Sequence, residues 1–559
     1  MTSASEPSSE RHTHGRLTLL LFPLVALIAV LPLILNGCSC GHDFDFHILS
    51  WMEAATQFSH GNLHPHWAFT PAFNAGEPRF VFYPPLSWSI GAVLGLLLPW
   101  TGTPIVYTWL VLTAAGLACH RLLRDFVPPS TALLVAALYA VNPYMLFTAY
   151  ERTAYAELLA AAWLPLILHA ILRKRVTIPR IAIPIALLWL TNAPAAVIGC
   201  YSLAILALVR LILTLRKPID SATPPTRLAL NTVAGTTLGL GLAAFYVLPA
   251  AYERRFVQIK MAMVEGMRIT DNFLFHHTPD PDHDAVLRTA SLLAISLLIA
   301  TAASLFAAFL QSRKSNSTRN LLYALISLTA VITLLLTPLS ATIWSHAPEL
   351  SFLQFPWRFL AILTPALALS LAITLRNLRL TQTQAALISL ILVSALIFAG
   401  YRQFRQDCDP EDTVAARLSL FHSSAGTDPT DEYTPTDADN DVLGKSNPPS
   451  WLAPDPDAPP PPNAISGPLH WPLDLTSPTQ QVIILNLRNY PAWRITLNHQ
   501  FVTTRLQRDD GLTAFPIPAG SSHLDIAYTR TTDQTTGVAI SVASVAILLF
   551  NLRRRRHPR

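Results

Sequence analysis

Apolar residues along this chain come in long runs separated by short polar breaks, and most runs are apolar all round, without the one-sided stripe of a soluble amphipathic helix. Runs over residues 17–36, 103–122, 129–149, 156–173, 178–192, 195–214, 228–249, 287–310, 320–338, 357–375, 383–400 and 534–552 predict about twelve membrane crossings. One further run, from Tyr83-Pro84-Pro85 to Pro99-Trp100, has about 14 apolar residues between its prolines, short of the roughly 20 that a crossing needs. Trp88 and Trp100 mark interfacial depth, so this run predicts a helix that lies along the membrane or re-enters the side it left.

The pattern changes after residue 400. Asp, Pro, Thr and Ser dominate 407–465, including the run Pro459 to Pro462, which predicts a linker or an extended wrap over 401–465. Beyond it, Gln481–Leu487, Trp493–Leu497 and Leu524–Tyr528 alternate apolar and polar positions between turn residues. That period of two predicts a small β-sandwich over 466–533, held between the last two spans. The expected organisation is a membrane domain over 1–400 with an outer loop at 37–102, then the linker, the β domain, and a last span with a basic tail over 534–559.

Composition agrees with a polytopic α-helical membrane protein: 51% of residues are hydrophobic and only 13% charged. The net charge of +5 sits in the breaks between runs, which argues orientation and excludes a nucleic-acid footprint. If the Pro84-Pro85 helix does not cross, Arg11 and Arg16, Arg121 and Arg124, Arg173 to Arg175 with Arg180, Arg216-Lys217 with Arg227, Arg313-Lys314 with Arg319, Arg376 with Arg379, and Arg553 to Arg556 all fall on one side. That side is the cytoplasm by the positive-inside rule, and both termini are expected there. The loop over 250–286 falls outside despite Arg254, Arg255, Lys260 and Arg268, with acidic residues beside them. The first span exceeds the apolar core of a secretion signal and is expected to remain as a span. Five cysteines give no disulfide framework and no zinc spacing, and Cys38 and Cys40 are expected as neighbouring free thiols.

The polar residues without a structural task collect on the outer side. Gly41-His42-Asp43-Phe44-Asp45-Phe46-His47 places two carboxylates and two imidazoles at a membrane edge, where charge is costly unless it is solvated or used. Either Asp also suits the N-cap of a short helix. Glu151, Arg152 and Glu157 stand at the outer start of a span, Glu157 about one turn inside; its plainer role is a partner for Arg152. Arg358, between aromatics in Phe355-Pro356-Trp357-Arg358-Phe359, suits a phosphate or a lipid headgroup. The His- and Asp-rich stretch from His276 to Asp284 has no fixed ligand spacing and reads as solvated loop. Phosphate loops, nucleophile elbows and HExxH motifs are absent.

In combination these residues resemble a family. Asp43 to His47, Gly61-Asn62-Leu63-His64-Pro65-His66-Trp67, Gly76-Glu77-Pro78 and Phe82-Tyr83-Pro84-Pro85-Leu86 are similar to the first outer loop of the bacterial GT-C superfamily of polyprenyl-phosphate-sugar glycosyltransferases. More narrowly they resemble the membrane family that carries the label 6-pyruvoyl-tetrahydropterin synthase-related. Glu151-Arg152, Glu157, Phe245 to Pro249 with Glu253, the Arg358 run, and Tyr490 to Trp493 add to it. The soluble zinc enzyme that the label describes has no counterpart in these residues.

The resemblance implies a membrane glycosyltransferase that moves a hexose or pentose from a polyprenyl-phosphate donor to an extracytoplasmic glycan, lipid or protein. It implies a bacterial inner-membrane location among membrane lipids, and it allows a divalent metal ion. Asp43 or Asp45 becomes the candidate base with Glu157 beside it, and His42, His47, Tyr83, Glu151, Arg152, Glu253 and Arg358 become candidates for holding substrate. The alternatives are a flippase or exporter of lipid-linked glycan, or a non-catalytic envelope-glycan scaffold.

Overall fold

The computed structural model describes residues 8–216, 223–312 and 315–556. Lys217, Arg313 and Lys314 lie outside the described residues, as do the side chains of Arg11, Arg16 and Arg554 to Arg556. Among the described residues nine helices are long and apolar enough to cross a membrane, or ten if the bent pair Pro225–Leu242 and Ala244–Phe256 counts as one span. The chain is a polytopic α-helical membrane protein.

The expected count of twelve is corrected at Ile178–Thr191, whose 14 residues give a length of about 21 Å, and at the bent pair, whose two parts meet at 76°. The first helix runs over Ser8–Asn36, 29 residues. The Pro85–Leu97 helix has 13 residues, with proline at its first turn, where a missing N–H costs nothing. It packs on the Phe44–Ser59 helix so closely that Gly91 lies against the Trp51 indole. Trp51 in turn stacks on Tyr107 of the Thr103–Leu123 span, with ring centroids 4.8 Å apart.

The β domain is a sandwich of two antiparallel sheets. One holds β1 (Ser450–Ala453), β3 (Gln481–Arg488) and β6 (Leu512–Ile517) in the order β1-β3-β6. The other holds β2 (Leu473–Ser477), β4 (Trp493–Leu497), β5 (Gln500–Phe501) and β7 (Gly520–Tyr528) in the order β2-β7-β4-β5. Alternation sets the registers, with Ile483 opposite Phe515 and Ile495 opposite Ile526, all inward. Trp67 of the first outer loop is buried in the same core against Tyr490 and Trp493.

The boundary expected at 466 is corrected, because β1 lies before it. Its Trp451 and Ala453 are buried, so a Pro- and Asp-rich stretch still supplies an edge strand. The stretch also forms the Val414–Phe421 helix, capped by the Thr413 hydroxyl, and is not a plain linker.

Candidate functional site

The loop from Gly37 to Asp43 joins the first helix to the Phe44–Ser59 helix and is pinned from two directions. Gly41 approaches the chain so closely that an added Cβ would collide with the Glu151 carbonyl oxygen. The Asp43 amide donates to the Arg152 carbonyl at 3.0 Å, and the Ser39 hydroxyl to the Tyr150 carbonyl at 2.6 Å. From the other direction Cys40 is disulfide-bonded to Cys408, a separation of 368 residues. This corrects the expectation of neighbouring free thiols: Cys38 stays free, while the partner of Cys40 comes from the stretch read as a linker.

Arg152 is placed by a break in its helix. The Pro129–Glu151 span ends in a π turn over Phe147–Glu151, where the Arg152 amide donates to the Phe147 carbonyl five residues back, at 3.1 Å. Thr153 then takes φ +47°, and a new helix begins at Tyr155. Such π turns recur at functional sites because they re-aim side chains. Here Arg152 turns inward and is 4% exposed. Its Nη1 donates to Glu157 Oε2 at 2.7 Å, and its Nη2 stands 3.7 Å from Asp43 Oδ2.

Glu157 is the centre of this cluster. Its Oε1 accepts from the Tyr144 hydroxyl, and Arg358 Nε lies 3.4 Å from its Oε2. A buried carboxylate is tolerated only with such partners. Asp43, Arg152, Glu157 and Arg358, from different segments, therefore form one charge chain that is neutral as a set.

Asp45 faces a different cation. Arg417 Nη2 is 3.8 Å from Asp45 Oδ2 and pairs at 2.5 Å with Asp412. The side chains of Asp43 and Asp45 remain 42% and 47% exposed.

Both aspartates line a cavity of about 700 Å³, within the range of small-ligand sites. Arg79, Arg152, Arg358 and Arg417 also line it, with His42, Phe355 and Trp357. Residues 426–432 also wall it, carrying Asp428, Asp431 and Glu432. Gly426, at φ +72°, lets that wall touch the outer loop, where a Cβ would sit 2.5 Å from the Asn74 amide nitrogen. Arg79, which lines the same cavity, pairs through Nε with Glu77 Oε1 at 2.8 Å, and the Thr430 amide and hydroxyl donate to the same carboxylate, each at 2.8 Å. A second cavity of about 530 Å³ shares His42, Asp45 and Arg417 and adds Glu151.

The remaining candidates lie away from this opening. His47 is buried behind it, 3.4 Å from the Tyr83 hydroxyl; burial, with Arg152 acting in the same direction and Asp43 opposing, pushes its pKa down to about 4. Glu253 is fully buried elsewhere, accepting from the Tyr490 hydroxyl and from Gln534 Nε2 at 2.8 Å, where it joins its helix to the sandwich and the last span. Arg79, Tyr144 and Arg417 escaped the sequence reading. Glu77 and Arg79 left a visible trace, a charged pair two residues apart before a short apolar helix; Arg417 left none.

Among the described residues no three His, Cys, Asp or Glu side chains gather around a point that a cation would occupy. Asp43 and Asp45 each face an arginine, so these side chains do not fit the divalent ion that the resemblance allows.

No family model matches the chain, and no curated protein does. Among solved structures it is similar to the arabinofuranosyltransferase AftD from Mycobacteria, at 16% identity and a TM-score of 0.44. That similarity covers 72% of this chain and 27% of the other, so the chain spans about a quarter of that protein.

Proposed function

We propose that this chain is a membrane glycosyltransferase that moves a sugar from a polyprenyl-phosphate donor to an extracytoplasmic acceptor. The observation that carries the reading is a half-exposed carboxylate, Asp43, facing the same cavity as the guanidinium of Arg358. Arg152 is already engaged by Glu157 and Asp43, so its task is to aim Asp43. Arg358 donates through Nη1 to the Leu353 carbonyl at 2.7 Å and to Gln354 Oε1 at 3.3 Å, and its Nε faces Glu157, while its Nη2 makes no hydrogen bond among the described residues. That leaves it donor capacity for a phosphate.

In this mechanism Asp43 takes the proton of an acceptor hydroxyl, whose oxygen attacks the anomeric carbon. The bond from that carbon to the phosphate oxygen breaks, and Arg358 stabilises the departing phosphate. Glu157 acts from behind, by holding both guanidinium groups in place.

The test is transfer of labelled sugar from polyprenyl-phosphate donors by the purified protein in lipid nanodiscs. Asp43→Asn is expected to lower turnover about 100-fold or more with the fold retained. Undiminished transfer in both Asp43→Asn and Asp45→Asn would overturn the reading.

A further inference from the structure

A second cleft lies at the far end of the helix bundle, independent of the site above. The Tyr155–Leu172 span starts beside Arg152 and ends beside Asp125, where His169 Nε2 lies 2.8 Å from Asp125 Oδ2. Here a cavity of about 580 Å³ opens between the ends of three spans and the start of the Asn316–Leu335 helix.

Its described lining is cationic on balance. Arg173, Lys174 and Arg210 line it, and Asp125 is the one carboxylate among its described lining residues. Asp125 is already engaged by His169 and by Arg121 Nη1 at 3.1 Å, with Arg173 Nη2 farther off at 3.5 Å. Arg173 Nη1 is buried with no hydrogen-bond partner, an unmet donor of the kind that marks a ligand position. Ser317 and Thr318, in the first turn of a 20-residue helix, stand at the same mouth, and the partial positive charge of that helix end adds to the three cations.

Phe126, Leu172, Leu213, Leu321 and Ala324 give the same cavity an apolar part. Cations and apolar side chains lining one cavity at a membrane edge have the two-part chemistry of an anionic phospholipid. We propose that this cleft binds a phosphate-bearing anion, with the headgroup phosphate on Arg173, Lys174 and the Asn316–Leu335 helix start, and acyl carbons against Leu213 and Leu321.

Delipidated protein in detergent is titrated with phosphatidylglycerol, cardiolipin, phosphatidylcholine and inorganic phosphate, with occupancy read by native mass spectrometry and thermal shift. Lys174→Glu and Ser317→Glu are the variants. Both positions are exposed, and the second puts a carboxylate at a helix start, which favours the helix itself. Each variant is expected to weaken the anionic lipids about tenfold without lowering the melting temperature of the lipid-free protein.

Protection by anionic lipids and not by inorganic phosphate supports the proposal with a lipid as the source. Protection by inorganic phosphate alone supports it with a free phosphate as the source. Equal retention of phosphatidylcholine, or unchanged binding in both variants, overturns it.

Discussion

Glu157 has two guanidinium groups on one oxygen and a tyrosine hydroxyl on the other. Glu157→Gln keeps the shape but leaves the buried charge of Arg152 and Arg358 answered only by Asp43, and removing one partner of a buried pair costs about 3–5 kcal/mol. The expected result is a large drop in melting temperature. Arg358→Lys, by contrast, keeps charge and loses the planar fork, so it should raise KM for the donor more than it lowers melting temperature. His47 carries a pH signature. Its unfolded pKa is near 6.5 and its folded pKa about 4, so the unfolded chain takes up the proton first as pH falls. Stability is complete above pH 6.5 and declines as pH falls towards 4; the melting temperature of His47→Gln should lack that share of the decline.

Elements show how far the chain could be read from its residues. The loop from Asp43 to His47, Arg152 with Glu157, and Arg358 were legible because charge inside or beside apolar runs is conspicuous. Three of them meet Asp43 in one cluster, as residues near the same ends of successive spans should. The acidic wall at 426–432, Arg417 and the partner of Cys40 were not legible. Each acts on residues more than 350 positions earlier, and the stretch that carries them is rich in the Pro, Asp and Thr that usually mark disorder. Glu253 was conspicuous for the same reason as Glu157, yet its buried carboxylate holds the sandwich to two helices; burial alone does not separate a joint from a site. The Cys408→Ser variant tests this arrangement. It frees the stretch that brings Arg417 to Asp45, and the expected loss is about 2–4 kcal/mol of stability, read by denaturant or thermal unfolding in detergent.

At the scale of the whole molecule the charge cluster, the wall and the sandwich lie at one end of the helix bundle, and Asp125, Arg173 and Arg210 at the other. The positive-inside rule predicts that the first end faces out and the second the cytoplasm. A membrane-impermeant maleimide should then label a cysteine introduced at the exposed Ile465 in intact cells. A cysteine at Lys174 should react only after permeabilisation, in a background lacking Cys38, Cys119 and Cys200. Labelling in the opposite order would invert the orientation.

The tie between Cys40 and Cys408 also sets a clock on biosynthesis. Residue 40 leaves the ribosome 368 residues before its partner, an interval of roughly 20–70 s at elongation rates of about 5–20 residues per second. Throughout that interval the loop bearing Asp43 lacks both its disulfide and its acidic wall. A nascent or truncated chain would therefore carry the loop without a closed cavity, and the cavity would close only once residues 408–432 have been made.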